Sequence, residues 1–178
     1  DSLQRGGRAR PLGLRDLIDA GESQSVEFKS SARYNLHTGA ADVRLEHVIV
    51  KTVCGFLNAE GGILLIGVDD DGQIVGLDPD ISTLKSKANL DGYELFLRQL
   101  LETNLSVPTA GTVRIGFDTL DNAAIAVLTV AASGRPVFSK PSKGQGGNDP
   151  SEFWVRVGNQ TKQLHGEAMM QYQREHWR

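Results

Sequence analysis

The chain has 178 residues, of which 39% are hydrophobic and 23% are charged, and its formal net charge is -3. These values are typical of a globular domain, and the longest apolar run, residues 63–68, is far shorter than the roughly 20 residues that cross a bilayer. The acidic balance excludes a protein whose whole surface attracts nucleic acid. Any such site must therefore be a local basic patch, or must hold phosphates through metal ions.

The chain opens with residues 1–12, which are rich in glycine and arginine and are typical of a linker or tail. We expect a single domain over residues 13–178, as part of a longer protein. Apolar residues at helical spacing in 14–18 predict a short helix, which Gly21 ends. Alternating apolar and polar side chains over residues 25–29 then predict a half-buried strand.

The middle of the chain has the clearest pattern. After a polar loop over 30–42, apolar residues recur every three or four positions over 45–57, which predicts an amphipathic helix. The sequence NAEGG ends this helix, and its glycines permit a sharp reversal into a doubly buried strand over 63–68. An Asp-Gly pair predicts a hairpin that returns through 73–77 as an antiparallel neighbour of that strand.

The rest of the chain continues to mix helices and strands. The predicted elements are a polar connection (78–90), a helix (93–105), two strands of a hairpin around Asp121-Asn122 (112–117 and 123–130), a short edge strand (137–138), a mobile loop (141–150), a strand (153–157) and a final helix (166–177). No βαβ rhythm repeats. The pattern therefore predicts an α/β (α+β) fold with a mixed, largely antiparallel sheet and packed helices.

Several kinds of chemistry are excluded by missing motifs. The glycines at 144–147 are not followed by the Lys-Ser/Thr of a phosphate-binding loop, and no Gly-x-Ser-x-Gly nucleophile elbow is present. The four histidines are scattered without ligand spacing, and the single cysteine, Cys54, lies on the apolar stripe of a predicted helix. We interpret Cys54 as a small buried hydrophobe. Single cysteine usage and the absence of a visible secretory leader favour a reducing, cytoplasmic setting.

Carboxylates are the remaining candidates for chemistry. Glu22 and Glu27 flank the entry to the first strand, while Asp69 and Asp70 follow the central strand. If these strands are neighbours, two or three carboxylates meet at one end of the sheet, and hard oxygen ligands suit Mg²⁺ or Mn²⁺. The alternative is structural, with Glu22 at a turn, Glu27 facing solvent and the aspartates at a polar hairpin tip.

Four sequence blocks resemble the Schlafen AlbA domain family. They are ESQSVEFK at 22–29, CGFLNAEGG at 54–62, ILLIGVDDDGQIVGL at 63–77 and FWVRVGNQT at 153–161, in the order that the family has them. The resemblance implies a mixed α/β fold and a nucleic-acid-binding role. Some members are endoribonucleases that cut transfer or ribosomal RNA at a divalent-metal site of two glutamates and an aspartate.

Carried over by motif, the implied metal ligands and catalytic residues are Glu22, Glu27 and Asp70, with Asp69 as the alternate for Asp70. The implied cofactor is Mg²⁺ or Mn²⁺. The animal members pair two lobes and have a Cys/His zinc site, whereas this chain has one lobe and one cysteine, so no zinc site is expected. A groove between two lobes would require a homodimer or another domain.

Cations near these blocks are the candidate phosphate contacts. They are Lys29, Arg156 on the late strand, and Lys140 and Lys143 in the predicted mobile loop. For Lys29 the alternative role is a structural ion pair with an acidic residue. The aromatic content of 6% gives little sign of a base-stacking platform. Recognition of backbone and shape therefore fits better than reading of single bases.

Two functional hypotheses follow. In the first, the domain binds nucleic acid, either RNA of the transfer-RNA kind, which is favoured, or DNA, and metal-dependent hydrolysis of RNA is an additional activity open to it. In the second, it is a non-catalytic binding or dimerisation module of a larger bacterial regulator or defence protein. Nucleotide binding ranks third, because no lysine follows the double glycine at the required spacing.

Overall fold

The computed structural model describes residues 13–141 and 150–178. The predicted linker at 1–12, most of the loop predicted to be mobile, and Lys143 lie outside the described residues. The elements in chain order are α1 (Leu14–Ala20), β1 (Val26–Lys29), β2 (Tyr34–Asn35), β3 (Ala40–Ala41), α2 (Val43–Leu57), β4 (Gly62–Ile66), α3 (Asp78–Ile81), α4 (Leu90–Asn104), α5 (Val107–Gly111), β5 (Arg114–Leu120), β6 (Ala123–Val130), β7 (Phe153–Val157), β8 (Gln160–Leu164) and α6 (Gly166–His176).

The main sheet has four strands in the order β1-β4-β6-β5. The β1–β4 pair is parallel, whereas β4–β6 and β5–β6 are antiparallel, so the prediction of a mixed, largely antiparallel α+β sheet is confirmed. Two further hairpins, β2–β3 and β7–β8, stand apart from this sheet. In the described ranges, no helix combines the length and apolar character needed to cross a membrane.

Each face of the sheet packs on a different hydrophobic core. Leu64 and Ile66 of β4 contribute to the larger core, which includes residues of α2 and α4. Leu65 and Phe28 point to the opposite face and pack in the smaller core with Ile18 of α1. Side chains of consecutive residues in a strand alternate between faces, so β4 is buried on both sides, as its apolar sequence predicted.

The reversal from α2 into β4 depends on Gly61. This residue has a φ of +77°, and a Cβ placed on it would lie 2.5 Å from the carbonyl oxygen of Val130. Only glycine permits both the backbone conformation and the close approach of β6. The predicted glycine turn between helix and strand is confirmed.

The segment after β4 differs from the prediction. Residues 73–77 form no strand. They meet residues 67–69 through an isolated bridge between Val68 and Ile74 and a few backbone hydrogen bonds, such as that from the N–H of Val75 to the carbonyl of Gly67 (2.8 Å). The reason is that β1 and β6 already occupy both edges of β4. The Asp-Gly turn itself does form, with Gly72 at a φ of +79° and its N–H bonded to the carbonyl of Asp69.

The second predicted hairpin is confirmed. Asp121 and Asn122 have φ values of 51° and 61°, as expected for a two-residue turn with positive φ at both positions. The predicted edge strand at 137–138 is reduced to a bridge between Ser139 and Glu152. β8 and the small β2–β3 hairpin were not predicted, because they are short and lack strong alternation.

Asp80 anchors the segment that connects β1 to α2. Its buried carboxylate accepts hydrogen bonds from the backbone N–H groups of Ala32 (2.7 Å), Arg33 (3.1 Å) and Tyr34 (2.8 Å), and from the hydroxyl of Tyr93 (2.5 Å). Four donors therefore bond to one side chain, in the segment that the sequence predicts to be a polar connection (78–90).

We predict that Asp80→Ala lowers the free energy of unfolding by about 2–3 kcal/mol, because it leaves several buried donors without an acceptor. Urea denaturation at pH 7 measures this loss. The control is Asp78→Ala, an exposed aspartate two residues away, which should change stability by less than about 0.5 kcal/mol. Equal effects of the two substitutions would contradict the anchoring role.

Candidate functional site

A tight turn brings the two predicted glutamates together. The N–H of Ser23 donates to the carbonyl of Val26 (3.0 Å), and Glu22 Oε1 accepts from the N–H of Phe28 (3.0 Å). Burial raises the pKa of Glu22 above its usual value, and the adjacent carboxylate of Glu27 raises it further by charge and hydrogen bonding. Glu22 and Glu27 are thus close neighbours, as their spacing around the first strand suggested.

Glu27 is buried, with 7% of its surface exposed, and is bonded to two cations. Lys29 Nζ lies 2.9 Å from Oε1, and the guanidinium of Arg156 donates to Oε2. Burial alone would raise the pKa of Glu27, but the bonds from these two cations hold it below its usual value. Glu27 is therefore ionised, its negative charge is balanced by Lys29 and Arg156, and it does not face solvent.

Arg156 organises the whole turn. Besides Glu27, its guanidinium donates to the carbonyl oxygens of Ser23 (2.6 Å), Gln24 (3.3 Å) and Val26 (3.2 Å). The group also lies 5.0 Å from the centre of the Phe56 ring, and the residue is only 3% exposed. The prediction that Arg156 contacts phosphate is wrong, because the guanidinium is buried and its donors are engaged within the protein.

The aspartates after β4 do not complete a metal site. Asp69 Oδ1 accepts from the N–H groups of Asp71 (2.9 Å) and Gln73 (2.8 Å), which fixes the turn, while Asp70 is exposed. Across residues 13–141 and 150–178, no three His, Cys, Asp or Glu side chains are grouped so that they could hold a metal ion.

The sheet explains this separation. Glu27 pairs with Leu64 and shares its face, the one that packs toward α2 and α4. The turn after β4 instead lies against α1, where Gly72 approaches the side chain of Ile18. The residues present therefore do not fit the predicted ligand set of Glu22, Glu27 and Asp70, nor the alternate with Asp69, as a site for Mg²⁺ or Mn²⁺.

Two of the other predicted phosphate contacts have described positions. The Lys29 side chain is 29% exposed beside Glu27, so its ammonium is partly accessible despite the ion pair. Lys140 is exposed, and its backbone N–H donates to the carbonyl of Asn104 at the end of α4 (2.9 Å).

Asn58 is an important residue whose role the sequence analysis missed. Its side-chain amide donates to the carbonyls of Val137 and Trp154 (both 2.8 Å) and accepts from the N–H of Val137 (2.8 Å). It thereby joins the end of α2 to β7. The nearby Cys54 is buried, which raises the pKa of its thiol to about 12 and agrees with its interpretation as an unreactive core residue.

Comparison with known proteins gives a family and two similar structures. The family model described as "Schlafen, AlbA_2" matches residues 22–165. The DIP2311 protein from Corynebacterium diphtheriae is 21% identical, with a TM-score of 0.57 over 86% of this chain. The N-terminal domain of a RecG-related protein from Nitrosomonas europaea is 22% identical, with a TM-score of 0.48 over 86% of this chain and 94% of that one.

The similarity to DIP2311 supports the α+β fold, since it is a likeness of structure at low sequence identity. This chain covers 27% of the length of the DIP2311 chain.

We predict that Arg156→Met costs about 3–5 kcal/mol of unfolding free energy at pH 7, because it leaves the buried charge of Glu27 without one of its two cationic partners. The loss should fall when Glu27→Gln is added, since the double variant removes the uncompensated charge, and denaturation of all four proteins measures the coupling.

The control is Arg44→Met, since the Arg44 side chain is 79% exposed where it pairs with Asp42 and should contribute at most about 1 kcal/mol. A cost for Arg156→Met that is independent of residue 27 would contradict the ion-pair explanation.

Proposed function

Because the chain belongs to the Schlafen AlbA_2 family, we propose that it is a nucleic-acid-binding domain that takes RNA in preference to DNA. The observation that carries the proposal is the family match, which spans the Glu22–Lys29 turn and strand, β4 with the turn that follows it, and β7. Within these blocks, the turn at residues 23–25 presents exposed side chains at the surface. Nothing in the proposal requires a chain that is basic overall.

The turn at residues 23–25 and the neighbouring Lys29 carry groups that can bind a sugar-phosphate backbone. The Lys29 ammonium is partly exposed, and the side chains of Ser23, Gln24 and Ser25 are exposed on the same unit. Hydroxyl and amide groups can bond to phosphate oxygens and to the 2′-hydroxyl that distinguishes RNA from DNA. Arg156 supports this surface from beneath, because it fixes the carbonyls of the turn and pairs with Glu27.

Lys140 is proposed as a second phosphate contact. It is exposed at the end of the segment that follows β6, and its backbone is fixed to the end of α4. With few cations and a net charge of -3, binding should be modest and strongly dependent on salt.

We predict that Lys29→Gln weakens binding of single-stranded RNA and reduces the slope of log K against log[salt] by about 0.7, the value for one phosphate contact. Fluorescence anisotropy across a salt series measures this slope. The control is Lys87→Gln, an exposed lysine that pairs with Asp91 beside α4 and should leave the slope unchanged. Absence of RNA binding by the wild type, or tighter binding of matched DNA, would contradict the proposal.

The geometry favours binding without hydrolysis over a metal-dependent endoribonuclease. A metal at Glu27 would have to displace Lys29 and Arg156, and Glu22 alone offers too few oxygen ligands. In this form the domain is a binding module of a larger protein, consistent with its coverage of 27% of the DIP2311 chain.

A cleavage assay separates the two functions. We predict that transfer RNA incubated with the wild type and Mn²⁺ or Mg²⁺ remains intact over the time in which binding is saturated. The matched variant is Glu27→Gln, which keeps the shape of the side chain but removes its charge. Metal-dependent cleavage by the wild type that is lost in a folded Glu27→Gln protein would establish the endoribonuclease instead.

A further inference from the structure

The outer edge of β5 carries unpaired backbone groups. β5 is the last strand of the sheet, and its turn at Asp121-Asn122 makes Leu120 and Ala123 the closing pair of the hairpin. In such a hairpin alternate residues bond to the partner strand, so the N–H and C=O groups of Ile115 and Phe117 point away from β6. In the described part of the chain, no backbone or side-chain group bonds to them.

Side chains of the protein limit this open edge on both sides. Arg98 of α4 donates to the carbonyl of Val113 (2.9 Å), and Asp118 Oδ1 accepts from the N–H of Thr119 (2.8 Å). The outward groups of Val113 and the outward N–H of Thr119 are therefore bonded already. What remains open between them is a window of three residues, Ile115 to Phe117, with two donors and two acceptors.

We propose that this window is a homodimer interface, in which β5 pairs antiparallel with β5 of a second copy about a two-fold axis at Gly116. In this register Ile115 lies opposite the partner's Phe117, and each exchanges its N–H and C=O groups with the other. The four open groups of each protomer are all used. Gly116 lies on the axis opposite Gly116 of the second copy, and the lack of a side chain there permits the close approach of the strands.

Charge complementarity identifies the occupant as a second copy. Pairing about Gly116 places Arg114 directly opposite the partner's Asp118, and the symmetry repeats this contact. Both residues are exposed, and neither takes part in an ion pair within residues 13–141 and 150–178. Opposite charges at facing positions of an antiparallel pair are stabilising, and like charges are destabilising.

The helix α4, whose Arg98 bonds to the residue just before the open window, also carries an exposed apolar side chain. Leu95 of α4 is 53% exposed and lies three residues before Arg98, on the same side of the helix. In the dimer, Leu95 and its counterpart border the paired strands, where they add apolar area to the hydrogen bonds. The result is a continuous eight-stranded sheet across the two protomers.

Charge reversal tests the interface without touching the core. We predict that Arg114→Asp and Asp118→Arg each raise the dimer dissociation constant by about tenfold or more, because two attractive contacts become repulsive. The double variant Arg114→Asp/Asp118→Arg restores dimerisation. Mixing the two single variants gives a heterodimer, since each reversed charge then meets its complement. Analytical ultracentrifugation over a concentration series measures all of these states.

The control is Arg135→Asp, an exposed arginine away from β5, which should leave the dissociation constant unchanged. A wild-type chain that stays monomeric to its solubility limit overturns the proposal. So does a dimer that the single reversals leave intact, or one that the double variant and the mixture do not restore. Circular dichroism of each variant shows that loss of the dimer is not loss of the fold.

Discussion

The buried contact between Arg156 and Glu27 holds the candidate site together. Arg156 comes from β7 and Glu27 from β1, which belong to different sheets, so their ion pair joins the small hairpin to the main sheet. The same guanidinium bonds to the carbonyls of the turn at 23–26 and lies over Phe56 of α2. Removing an arginine in this position would free a turn, a strand and a helix from one another at the same time.

This contact also decides the chemistry of the two glutamates. Although they are neighbours, their pKa values shift in opposite directions: burial raises that of Glu22, while the bonds from Lys29 and Arg156 lower that of Glu27 despite its burial. A carboxylate with two cationic partners is a poor metal ligand, because the incoming ion must first displace them. Lys29 is the member of the group that solvent reaches, and it is therefore the part of the site that a phosphate can meet.

Local patterns in the sequence predicted most of the fold. The spacing of apolar residues located α2, and the positive φ required at Gly61 and at Asp121-Asn122 located two reversals, because each signal lies within a few residues of its effect. The pairing of β4 with β6 was not predicted, since a hairpin signal names a neighbour in sequence and gives no information on competing strands. The family resemblance pointed to the turn at residues 22–29, where Glu22, Glu27 and Lys29 lie together in the structure.

The roles of Arg156, Asp80 and Asn58 could not be predicted from local sequence patterns. Their partners lie far along the chain, with Arg156 and Glu27 separated by 129 positions and Asp80 and Ala32 by 48. A charged residue on a predicted strand is compatible with a surface phosphate contact or a buried clamp, and only the packing of β7 against α2 distinguishes them. Burial decides whether such a polar residue is structural or contacts a ligand, and a single sequence does not record burial.

The two edges of the main sheet have different roles. The β1 edge is joined to β7 through Arg156 and carries the turn with Glu22 and Lys29, whereas the β5 edge is open over three residues. In the proposed dimer, pairing through β5 leaves the proposed binding surfaces free and places them at opposite ends of an eight-stranded sheet. With adjacent strands about 4.8 Å apart, the two surfaces are separated by roughly 30 Å. Two of the proposed phosphate-binding sites held at this distance would bind one structured RNA more tightly than either site alone, because the second contact would be intramolecular. The proposed dimerisation would thus offset the small number of cations in each acidic chain.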